Sequence, residues 1–198
     1  MLIKFAILLL SYLIGSIPFT YIMGRLMGER DLSRLGSGNL GGTNAIRVLG
    51  WGPGIIAGLL DVAKGTTALW LADLLGGSVE ITSLAALAVT FGHNWSVFFR
   101  GKKGGKGIST TIGSFLYLNP LVLLVSFSIA LEIVFLSRLV SLGSLILVSL
   151  VPLGLFIVGE DSLTIFVSFL LAVIAFYRHR GNIKRLRAGV ERRIGEKN

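Results

Sequence analysis

Between residues 2 and 177 the chain is a succession of apolar runs, most of them long enough to cross the roughly 30 Å hydrocarbon core of a bilayer as α-helices. Hydrophobic residues make up 53% of the 198 positions and charged ones only 15%, too apolar a balance for an ordinary soluble domain of this length. A polytopic, all-α integral membrane protein is expected. There is no cysteine, which excludes thiol nucleophiles, disulfides and thiolate metal sites, and two histidines are too few for a His-rich metal centre.

The runs cover residues 2–23, 55–75, 81–99, 108–118, 121–136, 139–158 and 163–177. Pro18 is expected to kink the first. Lys4 is the one basic residue at the amino-terminal end of that run, whereas Arg25, Arg30 and Arg34 follow it. This asymmetry favours a retained helix with an outside amino terminus over a cleaved signal peptide. The fourth run is short, since eleven helical residues rise about 16 Å, so it either re-enters or crosses with help from the preceding loop.

Charge separates these options. If the short run crosses, residues 76–80, 118–119 and 159–161 all face outside and hold no lysine or arginine, while seventeen of the nineteen basic residues collect on the other face. Re-entry would put the basic tail outside, against the positive-inside rule. The expectation is therefore seven transmembrane helices in one polytopic domain over residues 1–198. Its amino terminus is outside and its carboxyl terminus cytoplasmic, and the polar tail from about residue 188 is expected to fray. The formal charge of +9 then reflects topology, not nucleic acid.

Three polar clusters fall on that cytoplasmic face. Residues 36–47 read Gly-Ser-Gly-Asn-Leu-Gly-Gly-Thr-Asn-Ala-Ile-Arg, a glycine-dense stretch whose N–H groups can form an anion-binding nest beside Ser37, Thr43 and Arg47. Residues 100–107 form a glycine and lysine loop, and residues 178–182 contribute Arg178, His179 and Asn182. Ser141 and Ser144 lie one turn apart near the start of the sixth run. Ser37, Arg47, Lys106, His179 and Asn182 suit one dianionic phosphate, and the amides of Gly104, Gly105 and Gly107 suit a second. Taken singly, each basic cluster is also explained by topology and attraction to anionic headgroups. Asp61 and Lys64, spaced i, i+3 within the second run, form either a structural ion pair or a functional site in the bundle, and His93 near the end of the third run reads as a hydrogen-bonded buried residue.

Several familiar sites are missing. There is no Gly-x-Ser-x-Gly elbow, no Gly-x4-Gly-Lys-Ser/Thr loop, no acidic cluster for magnesium and no His-x4-Asp pair. Such a chain needs an already activated substrate if it is an enzyme, and no metal or cofactor is expected.

The motifs resemble the bacterial acyl-phosphate:glycerol-3-phosphate acyltransferases, the small integral membrane family often called PlsY. The match runs from Gly-Ser-Gly-Asn-x-Gly-x-Thr-Asn-x-x-Arg at residues 36–47, through Asp61-x-x-Lys64-Gly65 and Gly92-His93-x4-Phe98-x2-Gly101-x2-Gly104-Gly105-Lys106-Gly107, to Ser141-Leu-x-Ser144 and Arg178-His179-x-x-Asn182-Ile-x-Arg185-Leu. It implies transfer of an acyl group from acyl phosphate to glycerol 3-phosphate in the bacterial cytoplasmic membrane, giving 1-acyl-glycerol 3-phosphate and inorganic phosphate, the first acylation of phospholipid synthesis. It also implies a working partnership with the enzyme that makes acyl phosphate. On this resemblance Lys106, His179 and Ser144 are catalytic, and Ser37, Gly38, Asn39, Thr43, Asn44, Arg47, Gly104, Gly105, Ser141 and Asn182 bind substrate. The general base is left as either His179 or a substrate phosphate oxygen. A transporter of a phosphorylated metabolite is the alternative, although such proteins place their site near the midplane, often between repeats.

Overall fold

The computed structural model describes residues 1–28, 31–99, 101 and 104–196. The basic residues Arg30, Arg100, Lys102, Lys103 and Lys197 of the predicted clusters lie outside these. The described secondary structure is helical throughout, in two compact units, one comprising Met1–Leu118 and the other starting at Asn119.

In the first unit, α1 (Leu2–Ser16) and α2 (Phe19–Leu26) are two pieces of one predicted run. Pro18 has no N–H to continue the ladder, so the helix breaks at Ile17–Pro18 instead of merely kinking. Inside a membrane the carbonyls beside such a break need other donors. Lys64 Nζ donates to Ile17 O at 2.8 Å, and Ser96 Oγ donates to Ser16 O at 2.7 Å.

A short helix, α3 (Gly42–Leu49), takes up the second half of the glycine-dense stretch, which the sequence suggested was loop. It is followed by α4 (Trp51–Leu74), α5 (Val79–Asn94) and α6 (Ile108–Leu118). Helix α5 stops at Asn94, short of the predicted end of its run. Trp95 leaves the helical region at φ −135°, its carbonyl accepts from the Tyr12 hydroxyl at 3.0 Å, and a single short turn follows at Val97–Phe99. His93 and Asn94 are thus the last two residues of the helix.

Helix α1 packs along α5 and α4 along α6 through small residues that let backbones approach closely. A Cβ on Gly92 would overlap the backbone of α1, and one on Gly113 that of α4. Ala57, Leu69, Ala85, Val89 and Phe115 fill the buried interior, while Leu59, Trp70 and Phe91 face outward as lipid-facing residues do. A second cluster, formed by Leu32, Leu40, Ala45 and Ala57 with Tyr21 and Phe99 against it, anchors the polar segment before α3.

The second unit holds α7 (Pro120–Ser137), α8 (Val140–Val158), α9 (Ser162–Arg178) and α10 (Arg180–Arg187), with α8 packed against both α7 and α9. Asn119 caps α7 and Asp161 caps α9 by accepting backbone N–H groups, which explains these tight turns between apolar segments. Between Ala188 and Glu196 the described tail makes specific contacts. Glu191 accepts from Ser141, Asn182 and Arg185, and Ile194 exchanges hydrogen bonds with Arg138, its N–H to the arginine carbonyl at 2.8 Å and its carbonyl to the guanidinium at 2.9 Å.

Among the described residues, helices 2–26 taken across the break, Trp51–Leu74, Pro120–Ser137 and Val140–Val158 are long and apolar enough to cross a membrane, and the pair Ser162–Arg178 and Arg180–Arg187, bent by 64°, makes up to five. The remaining predicted runs correspond to Val79–Asn94, 16 residues, and the shorter Ile108–Leu118, 11 residues.

Candidate active site

The first unit carries the predicted donors Ser37 to Lys106. The segment ahead of α3 is folded around Asn44, which is buried in the first turns of that helix. Its Oδ1 accepts from Ser37 N at 2.8 Å and Ser37 Oγ at 3.1 Å, and its Nδ2 donates to Leu35 O at 3.1 Å. Asn44 therefore shapes the segment from within, and its amide oxygen and one amide hydrogen are engaged there. Ser37 and Thr43 are exposed, Gly38 takes the left-handed φ of 71°, and Arg47 stands half-buried in the last turn of α3.

Asn39 performs the joining step. Its Nδ2 donates to Gly104 O at 3.2 Å, and the neighbouring Leu40 N–H reaches the same carbonyl at 3.4 Å. The two glycine-rich segments, 65 positions apart, thus meet at one backbone oxygen. Gly104 and Gly105 lie against the end of α5. A Cβ on Gly104 would overlap the His93 and Asn94 carbonyls, and one on Gly105 would overlap the His93 ring. The Gly105 N–H donates to His93 O at 3.0 Å. The Gly105 amide, expected as a phosphate donor, is thus engaged with the end of α5 in this structure. The half-buried Lys106 follows directly.

In the second unit, His179 sits between α9 and α10, 3% exposed, with Nδ1 2.7 Å from Ala175 O. A carbonyl only accepts, so Nδ1 carries the proton and, in the neutral ring, Nε2 carries the lone pair. Ser144 Oγ donates to Val140 O at 2.8 Å, one turn back in its own helix. Ser141 and Asn182 both donate to Glu191 Oε1, at 2.9 Å and 2.5 Å, and Arg185 Nε donates to Oε2 at 2.7 Å. Burial alone would raise the Glu191 pKa, but these three hydrogen bonds and the Arg185 charge outweigh it and hold the carboxyl below its ordinary value.

Sequence reasoning missed Glu191, because it falls in a stretch assigned to a fraying tail. A signal was present: it is the first acidic residue after Asp161 and stands within a run of arginines and lysines. Asn39, expected as a substrate ligand, also joins two loops through its amide. Among the described residues no group of three or more His, Cys, Asp or Glu side chains is arranged to hold a metal ion.

The family model described as glycerol-3-phosphate acyltransferase matches residues 5–189. A glycerol-3-phosphate acyltransferase of Thermus thermophilus is 42% identical over 193 residues, covering 96% of this chain and 94% of its own. Glycerol-3-phosphate acyltransferase 2 of Moorella thermoacetica is 42% identical over 190 residues, covering 96% and 97%. Among solved structures, the glycerol 3-phosphate form of PlsY, an integral membrane glycerol 3-phosphate acyltransferase, superposes with a TM-score of 0.91 at 36% identity over 97% of this chain and 96% of that one. Its lysophosphatidic acid form gives 0.89 at 35% identity, covering 97% and 95%. With apolar helices suited to a bilayer, a glycine-aligned basic segment and these matches along nearly its whole length, the chain belongs to the integral membrane glycerol-3-phosphate acyltransferase family.

Proposed function

We propose that this protein acylates the 1-hydroxyl of glycerol 3-phosphate with acyl phosphate as donor, releasing lysophosphatidate and inorganic phosphate. The observation that carries the reading is the junction at Gly104 O, where Asn39 and Leu40 bind and so align the segment bearing Ser37 and Arg47 with the loop bearing Lys106. Family membership favours acyl transfer over transport of a phosphorylated metabolite.

The glycerol hydroxyl oxygen bonds to the acyl carbon, the carbon–oxygen bond to phosphate breaks, and phosphate leaves with the electron pair. Acyl phosphate is a mixed anhydride with a good leaving group, so a strongly activated nucleophile is unnecessary. The difficulty is bringing two phosphates together, and cationic donors in a partly dehydrated setting relieve it. In this reading Lys106 neutralises the reacting phosphates and Ser37 and Arg47 bind glycerol 3-phosphate, a role that the family resemblance also gives His179 and Asn182. Ser144 faces the acyl phosphate once its hydroxyl leaves Val140 O. The hydroxyl proton goes to His179 Nε2 or to a substrate phosphate oxygen. His179→Gln distinguishes them, since loss of a base lowers kcat far more than it raises KM.

The chain is proposed to form one domain of seven spans in the bacterial cytoplasmic membrane, its amino terminus outside and its site facing the cytoplasm. There the fatty chain remains in lipid while glycerol 3-phosphate enters from water, and the acyl phosphate comes from a partner enzyme. The test is phosphate release by purified protein in lipid given glycerol 3-phosphate with either acyl phosphate or acyl-CoA. Release with acyl phosphate alone, accompanied by lysophosphatidate and lost in Lys106→Ala, is expected. Equal release from acyl-CoA overturns the donor assignment, and full activity in Lys106→Ala overturns its role.

A further inference from the structure

Asp61, Lys64 and His93 are buried in the first unit and lie outside the donor set above. Lys64 Nζ is 2.7 Å from Asp61 Oδ1 and also donates to Ile17 O, and His93 Nδ1 is 3.5 Å from the same Asp61 oxygen. Opposite charges inside an apolar bundle are tolerated when paired, and the pair also satisfies a carbonyl freed by the break at Pro18. Those tasks account for Asp61 and Lys64. They leave His93, whose Nδ1 edge faces the pair and whose Nε2 edge lies under Gly105, where an added Cβ would overlap it. Its carbonyl takes the Gly105 N–H at 3.0 Å. One residue thus supports a single glycine through both its ring and its backbone.

We infer that His93 is a positioning residue for acyl transfer: Asp61, fixed by Lys64, sets the imidazole, and the imidazole sets the height of Gly105 and hence of the adjoining Lys106 ammonium. The inference rests on the reading that Lys106 neutralises the reacting phosphates. His93 is 6% exposed and acts through the loop, not on substrate. A displacement of about 1 Å in such a group is enough to lower catalytic efficiency about a hundredfold.

His93→Asn and His93→Gln separate this role from simple pairing with Asp61. The asparagine amide reaches the place of Nδ1 and keeps a donor for Asp61, but it leaves a void under Gly105. The glutamine amide reaches the place of Nε2 and fills it. The inference expects His93→Asn to lower kcat/KM for acyl phosphate about a hundredfold, with KM raised at least tenfold and the thermal midpoint near wild type, and His93→Gln to recover most of the loss. A His93→Asn enzyme within twofold of wild type overturns it, as do two variants that lose thermal stability but keep their kinetic constants. Should His93→Asn not fold, Gly105→Ala is compared with Gly105→Ala/His93→Ala. The double variant is expected to be the more active because the overlap is removed, and a double variant as poor as the two single effects combined overturns the inference. Wild-type release in the same assay tests the donor reading separately. If it fails, calorimetric binding of inorganic phosphate decides the inference alone, with binding at least tenfold weaker in His93→Asn expected and unchanged binding overturning it.

Discussion

Ser141 and Glu191, fifty positions apart, are joined by a 2.9 Å hydrogen bond from the serine hydroxyl to Oε1, the oxygen that also accepts from Asn182. A carboxylate from the tail therefore holds the start of α8 and the start of α10 in fixed relation within the second unit. With Arg185 on Oε2, the acid serves three donors at once. Its hydrogen bonds define where Asn182 points, and Asn182 is one of the proposed phosphate ligands.

Glu191→Ala leaves these donors without their acceptor in a partly buried place. A hydrogen bond to a charged group contributes about 1.5–3 kcal/mol, and Arg185 is half-exposed and adds little. A net loss of about 2 kcal/mol is expected, read as a lower midpoint in detergent unfolding, with a fall in activity as Asn182 loses its support. Ser141→Ala removes one bond and is expected to lose about 1 kcal/mol. An unchanged midpoint in Glu191→Ala would show that the tail contributes nothing to stability.

The same carboxylate gives stability a pH dependence of definite sign. Its folded pKa is lowered, so its contribution is fully present above the unfolded carboxylate value, about 4.3, and disappears as pH falls through the folded one. Wild type and Glu191→Gln should differ by a constant amount at neutral pH and converge below about pH 4. Unfolding midpoints followed across that range check this, and a gap that widened on acidification would reverse the sign.

Much of this architecture was legible in the sequence because its cause is local. Apolar runs marked the long helices, and the absence of an N–H at Pro18 marked a discontinuity, although only tertiary donors from Lys64 and Ser96 allow it to be a full break. The i, i+3 spacing of Asp61 and Lys64 put them on one helix face and left an ion pair as one of two readings, and their 2.7 Å contact belongs to the structure alone. What could not be read depended on distant partners. Trp95 ends α5 because Tyr12 and Ser16 accommodate the turn there, and Glu191 is ordered by residues from two other helices. Asn44 and Asn39 fit a phosphate-binding motif equally well as ligands or as braces, and their bracing hydrogen bonds come from partners the sequence does not identify.

Lys64→Met should destabilise more than Lys64→Met/Asp61→Asn. The single change leaves the Asp61 carboxylate buried at 1% exposure without its nearest cation, and breaking a buried pair on one side costs about 3–5 kcal/mol. The double change removes the uncompensated charge while both lose the donor to Ile17 O, so the difference isolates the charge. Comparison of unfolding midpoints in one detergent is the measurement. Equal losses would mean that His93 alone compensates Asp61.

Asn39 offers the most direct test of loop alignment, because its amide touches the second loop and is not needed to build the first. Removing it in Asn39→Ala leaves Leu40 N–H on Gly104 O, at the longer 3.4 Å, so the junction loosens without being lost. About 1 kcal/mol of stability is at stake, while kcat/KM should fall about tenfold as Lys106 and Arg47 lose their common reference. Asn39→Asp separates alignment from simple space filling. A carboxylate cannot donate to the Gly104 carbonyl and adds negative charge beside the proposed phosphate site, so its loss should exceed that of alanine and shrink at high salt. If alanine and aspartate instead lost the same activity at every ionic strength, no phosphate would lie near this junction.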